Sequence, residues 1–169
     1  SPYDPSSPYS ASKASSDHLV RAWHRTYNIP IILTNCSNNY GPNQHKEKLI
    51  PLTINKIFQR EQIPVYGSGE QIRDWLFVED HTEALIMVAK KAKIGSYYNI
   101  GGGNETRNID LIEMICNIID KKYKFTNSFE LVNFIKDRPG HDYKYSIDNS
   151  KIKNELGWQP KQNLQQGIM

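Results

Sequence analysis

Cysteine is scarce in this sequence. The only two among its 169 residues, Cys36 and Cys116, lie far apart and neither belongs to a CxxC pair. That spacing excludes a thiolate zinc cluster. It predicts two free thiols in a reducing compartment, with one long-range disulfide as the weaker alternative. Long apolar runs are missing too: none approaches the roughly 18 residues a membrane span needs. The opening residues lack a basic stretch followed by an apolar one. The expectation is a soluble, cytoplasmic protein with no membrane partner. Neither charge sign dominates, since 21 basic and 18 acidic residues leave +3, too balanced for a nucleic-acid or membrane-surface binder. The five histidines are scattered, and no two of them pair with a carboxylate at ligand spacing, so no metal is expected.

Hydrophobic residues make up 38%, yet ten tyrosines and three tryptophans argue for a packed chain rather than a disordered one. A chain of this length buries roughly 70% of its unfolded surface on folding. Pro8 to Tyr27 reads as a helix with Ser7 as its N-cap, Pro8 in the first turn, and Leu19, Val20 and Trp23 on an apolar side. Asn28 and Pro30 stop it. Ile31 to Thr34 is a short β-branched run read as a buried strand. Helix followed by buried strand is half of a βαβ unit, which predicts a parallel sheet. Asn38 to Gln44 reads as a loop and Lys48 to Arg60 as a helix. Pro64–Gly67 and Ile72–Val78 read as strands separated by a Gly67-Ser68-Gly69 turn. Glu79 to Lys91 reads as a helix with Ala84, Leu85, Val88 and Ala89 inward, Tyr97 to Ile100 as a strand, and Asn108 to Lys121 as an amphipathic helix capped by Asn108. Ser128 to Ser146 is extended or irregular. Asp148 caps a short helix, and a further helix begins near Met169.

Tyr9 and Lys13 stand four residues apart, hence on one helix face. An ammonium beside a phenol favours the phenolate, which makes Tyr9 a usable general base toward a hydroxyl or carbonyl. The spacing alone is weak, because a solvated helix face carries such pairs by accident. Its surroundings are more specific. The run Pro5-Ser6-Ser7-Pro8-Tyr9-Ser10-Ala11-Ser12-Lys13-Ala14-Ser15-Ser16-Asp17 resembles the active-site helix of the extended short-chain dehydrogenase/reductase family. Asn35-Cys36-Ser37-Asn38-Asn39-Tyr40-Gly41-Pro42 is similar to that family's Asn-x-Tyr-Gly-Pro loop. Glu47-Lys48-Leu49-Ile50-Pro51, Ile72-Arg73-Asp74-Trp75-Leu76 and Asp137-Arg138-Pro139-Gly140-His141-Asp142 resemble its NAD-dependent epimerase/dehydratase members, the 4,6-dehydratases of sugar nucleotides in particular. The landmarks run through nearly the whole sequence in the family's order.

The resemblance implies an α/β fold: the C-terminal half of an NAD(P)-binding Rossmann-like domain joined to a smaller substrate-binding α/β domain. Residues 1–44 would close the Rossmann part. Residues 45–169 would mainly bind substrate, returning to the Rossmann sheet around 72–100. It implies NAD as cofactor and dTDP-glucose as substrate, dehydrated to the 4-keto-6-deoxy sugar for deoxysugar (dTDP-rhamnose) and surface-polysaccharide precursors in a bacterium. It also implies a homodimer built on the Tyr9 helix. By resemblance Tyr9 and Lys13 are catalytic and touch the cofactor with Asn39. Asn38, Arg73 and Arg138 would hold the diphosphate, with Lys48, Leu49, Asn108 and His141 around the nucleotide and Pro64 and Tyr66 near the base. An arginine fork matches phosphate geometry in a way lysine does not, although either arginine alone would read as a surface salt bridge. The Gly101-Gly102-Gly103 turn superficially resembles a dinucleotide loop, but Thr106 occupies the third glycine position. The family's glycine-rich NAD turn and its Thr-Asp-Glu acid–base segment are expected upstream of Ser1. The sequence therefore reads as about half of an enzyme, alone an incomplete active site. The alternatives are an epimerase or decarboxylase of the same family, or a non-catalytic nucleotide-sugar-binding module.

Overall fold

The first helix forms where its caps dictate. In the computed structural model, which describes residues 3–169, α1 spans Pro8–Tyr27. Ser7 sits in extended backbone and its Oγ accepts the Ser10 N–H at 3.1 Å, while Pro8 takes the first helical position, whose N–H needs no partner. Left-handed Asn28 ends it, donating its N–H to the His24 carbonyl at 2.9 Å. Strand β1 (Leu33–Cys36) runs parallel to β5 (Tyr97–Ile100), with Leu33 opposite Tyr97. It begins at Leu33 rather than Ile31, because the Ile31 carbonyl is taken by the Gly95 N–H at 2.7 Å, outside the ladder.

The Asn38–Gln44 segment is not all loop. Asn38–Tyr40 forms β2, parallel to the last half of β4 (Ile72–Phe77). The first half of β4 pairs antiparallel with β6 (Glu105–Arg107) and parallel with β8 (Lys144–Tyr145). Strand β3 (Ile63–Tyr66) lies parallel to β7 (Val132–Ile135), which follows a 3-10 turn at Ser128–Leu131. The helices between them are α2 (Leu49–Gln59), α3 (Val78–Lys91), α4 (Asn108–Tyr123), α5 (Ser150–Leu156) and α6 (Leu164–Ile168). Asn149 rather than Asp148 holds the cap position of α5, while Asp148 Oδ1 accepts the Ser150 N–H at 2.8 Å from one residue further out.

Two apolar cores flank β4, because successive strand side chains face opposite sides. Trp75 joins Ile57, Ile63, Leu111, Ile115 and Cys116 between α2, β3 and α4. Leu76, its neighbour, joins Ala84, Val88, Tyr98, Ile100, Ile152 and Trp158 between β5, α3 and α5. Of the four α3 residues expected inward, Ala84 and Val88 are buried while Leu85 and Ala89 face out. The helical period was right and its phase was set by Asp80, whose buried Oδ2 accepts the N–H groups of Lys161 and Gln162. Asn108 is not the cap of α4. Arg107 holds the extended cap position and Asn108 is the first helical residue, its N–H already donated to the Gln71 carbonyl at 3.0 Å. Both cysteines are free, and burial pushes the Cys116 thiol up to about 12. Among the described residues no helix is long and apolar enough to cross a membrane.

Candidate functional site

Six stretches separate in sequence converge on one cleft of about 490 Å³. β2 brings Asn38 and Asn39, the head of α2 brings Lys48 and Leu49, and β3 brings Pro64 and Tyr66. β4 brings Arg73, the head of α4 brings Asn108, and the β7–β8 loop brings Arg138 and His141. All nine residues expected to hold substrate line this single cleft, and Asn39 lines it with them. Tyr9 and Lys13 line a second, wider cleft of about 900 Å³. Asn38, Arg73, Arg138 and His141 line both, so the two spaces meet along that wall.

The cleft favours an anion. Arg73, Arg138, Lys48 and His141 face it against a single carboxylate, Glu47. The N-termini of α2 and α4 open at its wall, and neither is closed by a side-chain cap. The positive ends of the two helix dipoles add to the cationic side chains, although the first two N–H groups of α4 are already donated to the Gln71 and Gly69 carbonyls, each at 3.0 Å. Arg73 is fixed before any ligand arrives: its Nη1 donates to the Ile72 carbonyl and its Nη2 to the Asp142 carbonyl, each at 2.8 Å. Burial lowers its pKa from the ordinary arginine value, with the nearby Asp142 acting the other way. The Arg138 guanidinium lies 5.1 Å from the Tyr66 ring centroid, and His141 meets the same ring edge-on at 6.4 Å. The wall also holds unsatisfied groups. Asn39 Oδ1, Gln44 Oε1, Asn108 Oδ1 and Trp75 Nε1 are buried without a partner, which costs free energy unless a ligand or water completes them.

In the wider cleft Tyr9 is 74% exposed and Lys13 is exposed beside it on α1. The opposite wall carries Cys36, Asp142 and Tyr145, and the Tyr145 hydroxyl donates to the Cys36 carbonyl at 3.0 Å. Burial raises the Tyr145 phenol above its ordinary value. Sequence reasoning missed Tyr145, which sat in the stretch read as irregular, and Gln44, for which no signal existed. Glu47 and Trp75 stood inside quoted motifs without being assigned a role. The glycine turn is accounted for structurally. The Gly102 N–H donates to the buried Asp74 Oδ2 at 3.0 Å, and the Asn104 N–H to Asp74 Oδ1 at 2.8 Å. A Cβ on Gly102 would overlap the Trp75 carbonyl, so glycine serves close backbone packing there.

Known proteins resemble this chain in sequence and in fold. The family model described as GDP-mannose 4,6 dehydratase matches residues 1–169. A dTDP-glucose 4,6-dehydratase of Escherichia coli is 57% identical over 171 residues, covering 98% of this chain and 47% of that protein. The crystal structure of dTDP-glucose 4,6-dehydratase from Bacillus anthracis in complex with NAD has a TM-score of 0.89 at 43% identity, over 99% of this chain and 51% of that one. A UDP-glucuronic acid 4-epimerase from Bacillus cereus, in complex with UDP-glucuronic acid and NAD, reaches 0.87 at only 28% identity, over 98% and 51%. The chain thus spans about half the length of the relatives it matches. The backbone likeness is shared by dehydratases and epimerases of one α/β fold. The full-length match, with identity above one half to a dehydratase, shows that this chain belongs to the GDP-mannose 4,6 dehydratase family.

Proposed function

We propose that this chain carries the nucleotide-sugar grip and the tyrosine–lysine pair of an NAD-dependent dTDP-glucose 4,6-dehydratase, which converts dTDP-glucose to its 4-keto-6-deoxy product. The observation that carries the reading is the convergence of nine separately assigned residues on one cationic cleft that opens into the Tyr9–Lys13 cleft. Arg73 and Arg138 clamp the diphosphate together with Asn38. Lys48, Leu49, Asn108 and His141 surround the nucleotide, and Pro64 and Tyr66 lie toward the base. The higher identity to the dehydratase than to the epimerase supports dehydration over epimerisation.

The residues present fit the nicotinamide end of NAD. Tyr9 and Lys13 stand open on the wall of the wider cleft, whereas Asn39, expected at the nicotinamide end, lines the narrower cleft beside it with its Oδ1 unpartnered. The chemistry NAD supplies when bound is reversible acceptance of a hydride. Tyr9 Oη takes the proton of the sugar's C4 hydroxyl. Lys13 stabilises the phenolate that does so and holds the nicotinamide ribose. The cationic wall fixes the diphosphate and so sets how far the hexose reaches toward Tyr9.

The protein works as a cytoplasmic homodimer supplying deoxysugar synthesis. Support for the second copy is on α1, which buries no residue and leaves Leu19, Trp23 and Tyr27 more than half exposed along one stripe. To test the activity, the intact protein is given dTDP-glucose and the product analysed by mass spectrometry. The expected product is lighter by one water, whereas epimerisation leaves the mass unchanged. Tyr9→Phe should lower turnover by about a hundredfold or more while retaining dTDP binding. Full turnover in Tyr9→Phe would overturn the role given to that residue.

A further inference from the structure

His141 lines both clefts, but the group that holds it does not line either. Asp137, four residues earlier, faces His141 Nδ1 with Oδ1 at 2.7 Å. The same oxygen accepts the Arg138 backbone N–H at 2.7 Å, and Oδ2 accepts Gln71 Nε2 at 2.8 Å. Gln71 is buried and precedes β4, the strand that carries Arg73. One carboxylate therefore ties the imidazole, the backbone of Arg138 and the strand of Arg73 into one unit. The packing is close enough that Gly67, in a left-handed turn at φ +59°, would bring a Cβ to 3.0 Å from Asp137 Oδ2. The His141 side chain is 6% exposed and its ring stands edge-on to Tyr66. The histidine bond holds the Asp137 carboxyl below the ordinary carboxylate range.

A carboxylate on one imidazole nitrogen fixes which nitrogen carries the proton and how the ring is turned. With Nδ1 engaged, Nε2 is the ring atom left for a ligand. We propose that Asp137 is a positioning residue: it holds His141 so that Nε2 makes a fixed polar contact to the nucleoside diphosphate where the two clefts join. The proposal rests on the nucleotide-sugar reading of the cleft. The bonds from the Arg138 N–H and Gln71 Nε2 hold the carboxylate in place, and the effect of Asp137 on the ligand passes through the imidazole.

The test measures dTDP affinity of the intact protein by calorimetry for wild type, Asp137→Ala, Asp137→Asn, His141→Ala and the Asp137→Ala/His141→Ala pair. Asp137→Ala should weaken dTDP binding about tenfold, the scale of one hydrogen bond to a charged group. Asp137→Asn keeps an acceptor for Nδ1, and the Gln71 amide turns to accept from the new NH2, so affinity should return to within about threefold. On the His141→Ala background, Asp137→Ala should cost nothing further, because residues acting through one contact are non-additive. In turnover KM should rise with kcat unchanged, as for a contact kept in ground and transition states alike. Additive losses, or failure of Asp137→Asn to restore binding, would overturn the proposal. Nitrogen-15 signals of the His141 ring decide it without ligand. A ring held with Nδ1 protonated in wild type and a mixture in Asp137→Ala supports the positioning role, and identical spectra overturn it. Absence of dTDP binding in wild type would instead overturn the nucleotide-sugar reading.

Discussion

Replacing Asp74 by alanine probes the joint on which the cleft depends. Asp74 is 1% exposed on β4, beside Arg73, and its two oxygens hold the backbone N–H groups of Gly102 at 3.0 Å and Asn104 at 2.8 Å. Those bonds seat the 101–104 turn against the strand at the point where β4 changes partners from β6 and β8 to β2. Hydrogen bonds to a charged group contribute about 1.5–3 kcal/mol each. Gly102 N–H keeps Ser37 Oγ at 3.3 Å as a second acceptor, whereas the Asn104 N–H loses its partner. Removing the buried charge also returns part of its desolvation cost. The net expectation is a loss of about 3 kcal/mol, and about half of that for Asp74→Asn, which keeps one acceptor. In thermal unfolding followed by circular dichroism this corresponds to a midpoint about 6–12 °C lower. An Asp74→Ala variant unfolding within about 2 °C of wild type would refute this account of the joint.

Three other outcomes follow from the same geometry. Arg73→Lys cannot keep both carbonyl bonds and a two-pronged phosphate contact, so KM for dTDP-glucose should rise about tenfold or more with an unchanged circular dichroism spectrum. Burial lowers the His81 pKa on α3 below its ordinary value. The unfolded chain then binds more protons than the folded one between that lowered value and about 6.5, so stability should rise with pH across the window. Denaturant melts of His81→Asn should show a flatter acid limb. Introducing Trp23→Glu on the exposed α1 stripe should yield monomers in sedimentation velocity, and an unchanged oligomer would exclude that face as the dimer contact.

The elements legible in the sequence were those whose caps or apolar runs are local. Ser7, Pro8 and Asn28 bracket α1, and the β-branched and aromatic residues of β4 and β5 mark their strands. Strand β2 was hidden because Asn38 and Asn39, which line the cleft, are polar and their composition mimics a loop. Strand β6 was hidden because Glu105, Thr106 and Arg107 are polar, and pairing with β4 rather than propensity makes them a strand. The error at Leu85 and Ala89 is of another kind. A helical period gives the width of the buried face, while its phase is fixed by a distant partner, here the Asp80 carboxylate on the Lys161–Gln162 backbone. The cleft residues were legible as motifs, never as spacing, since they come from separate elements that only the fold unites. Asp137 lay inside a quoted motif, yet its hold on His141 emerges only once β7, β8 and the start of β4 are placed together.

The central claim is that Arg73 and Arg138 seat a diphosphate so that the attached hexose meets Tyr9. A crystal structure of the intact protein with NAD and dTDP-glucose, turnover being slowed by Tyr9→Phe, tests it directly. The account predicts phosphate oxygens within hydrogen-bond distance of both guanidinium groups and the C4 hydroxyl facing the position 9 ring. A diphosphate bound away from both arginines, or a hexose turned from residue 9, would contradict it.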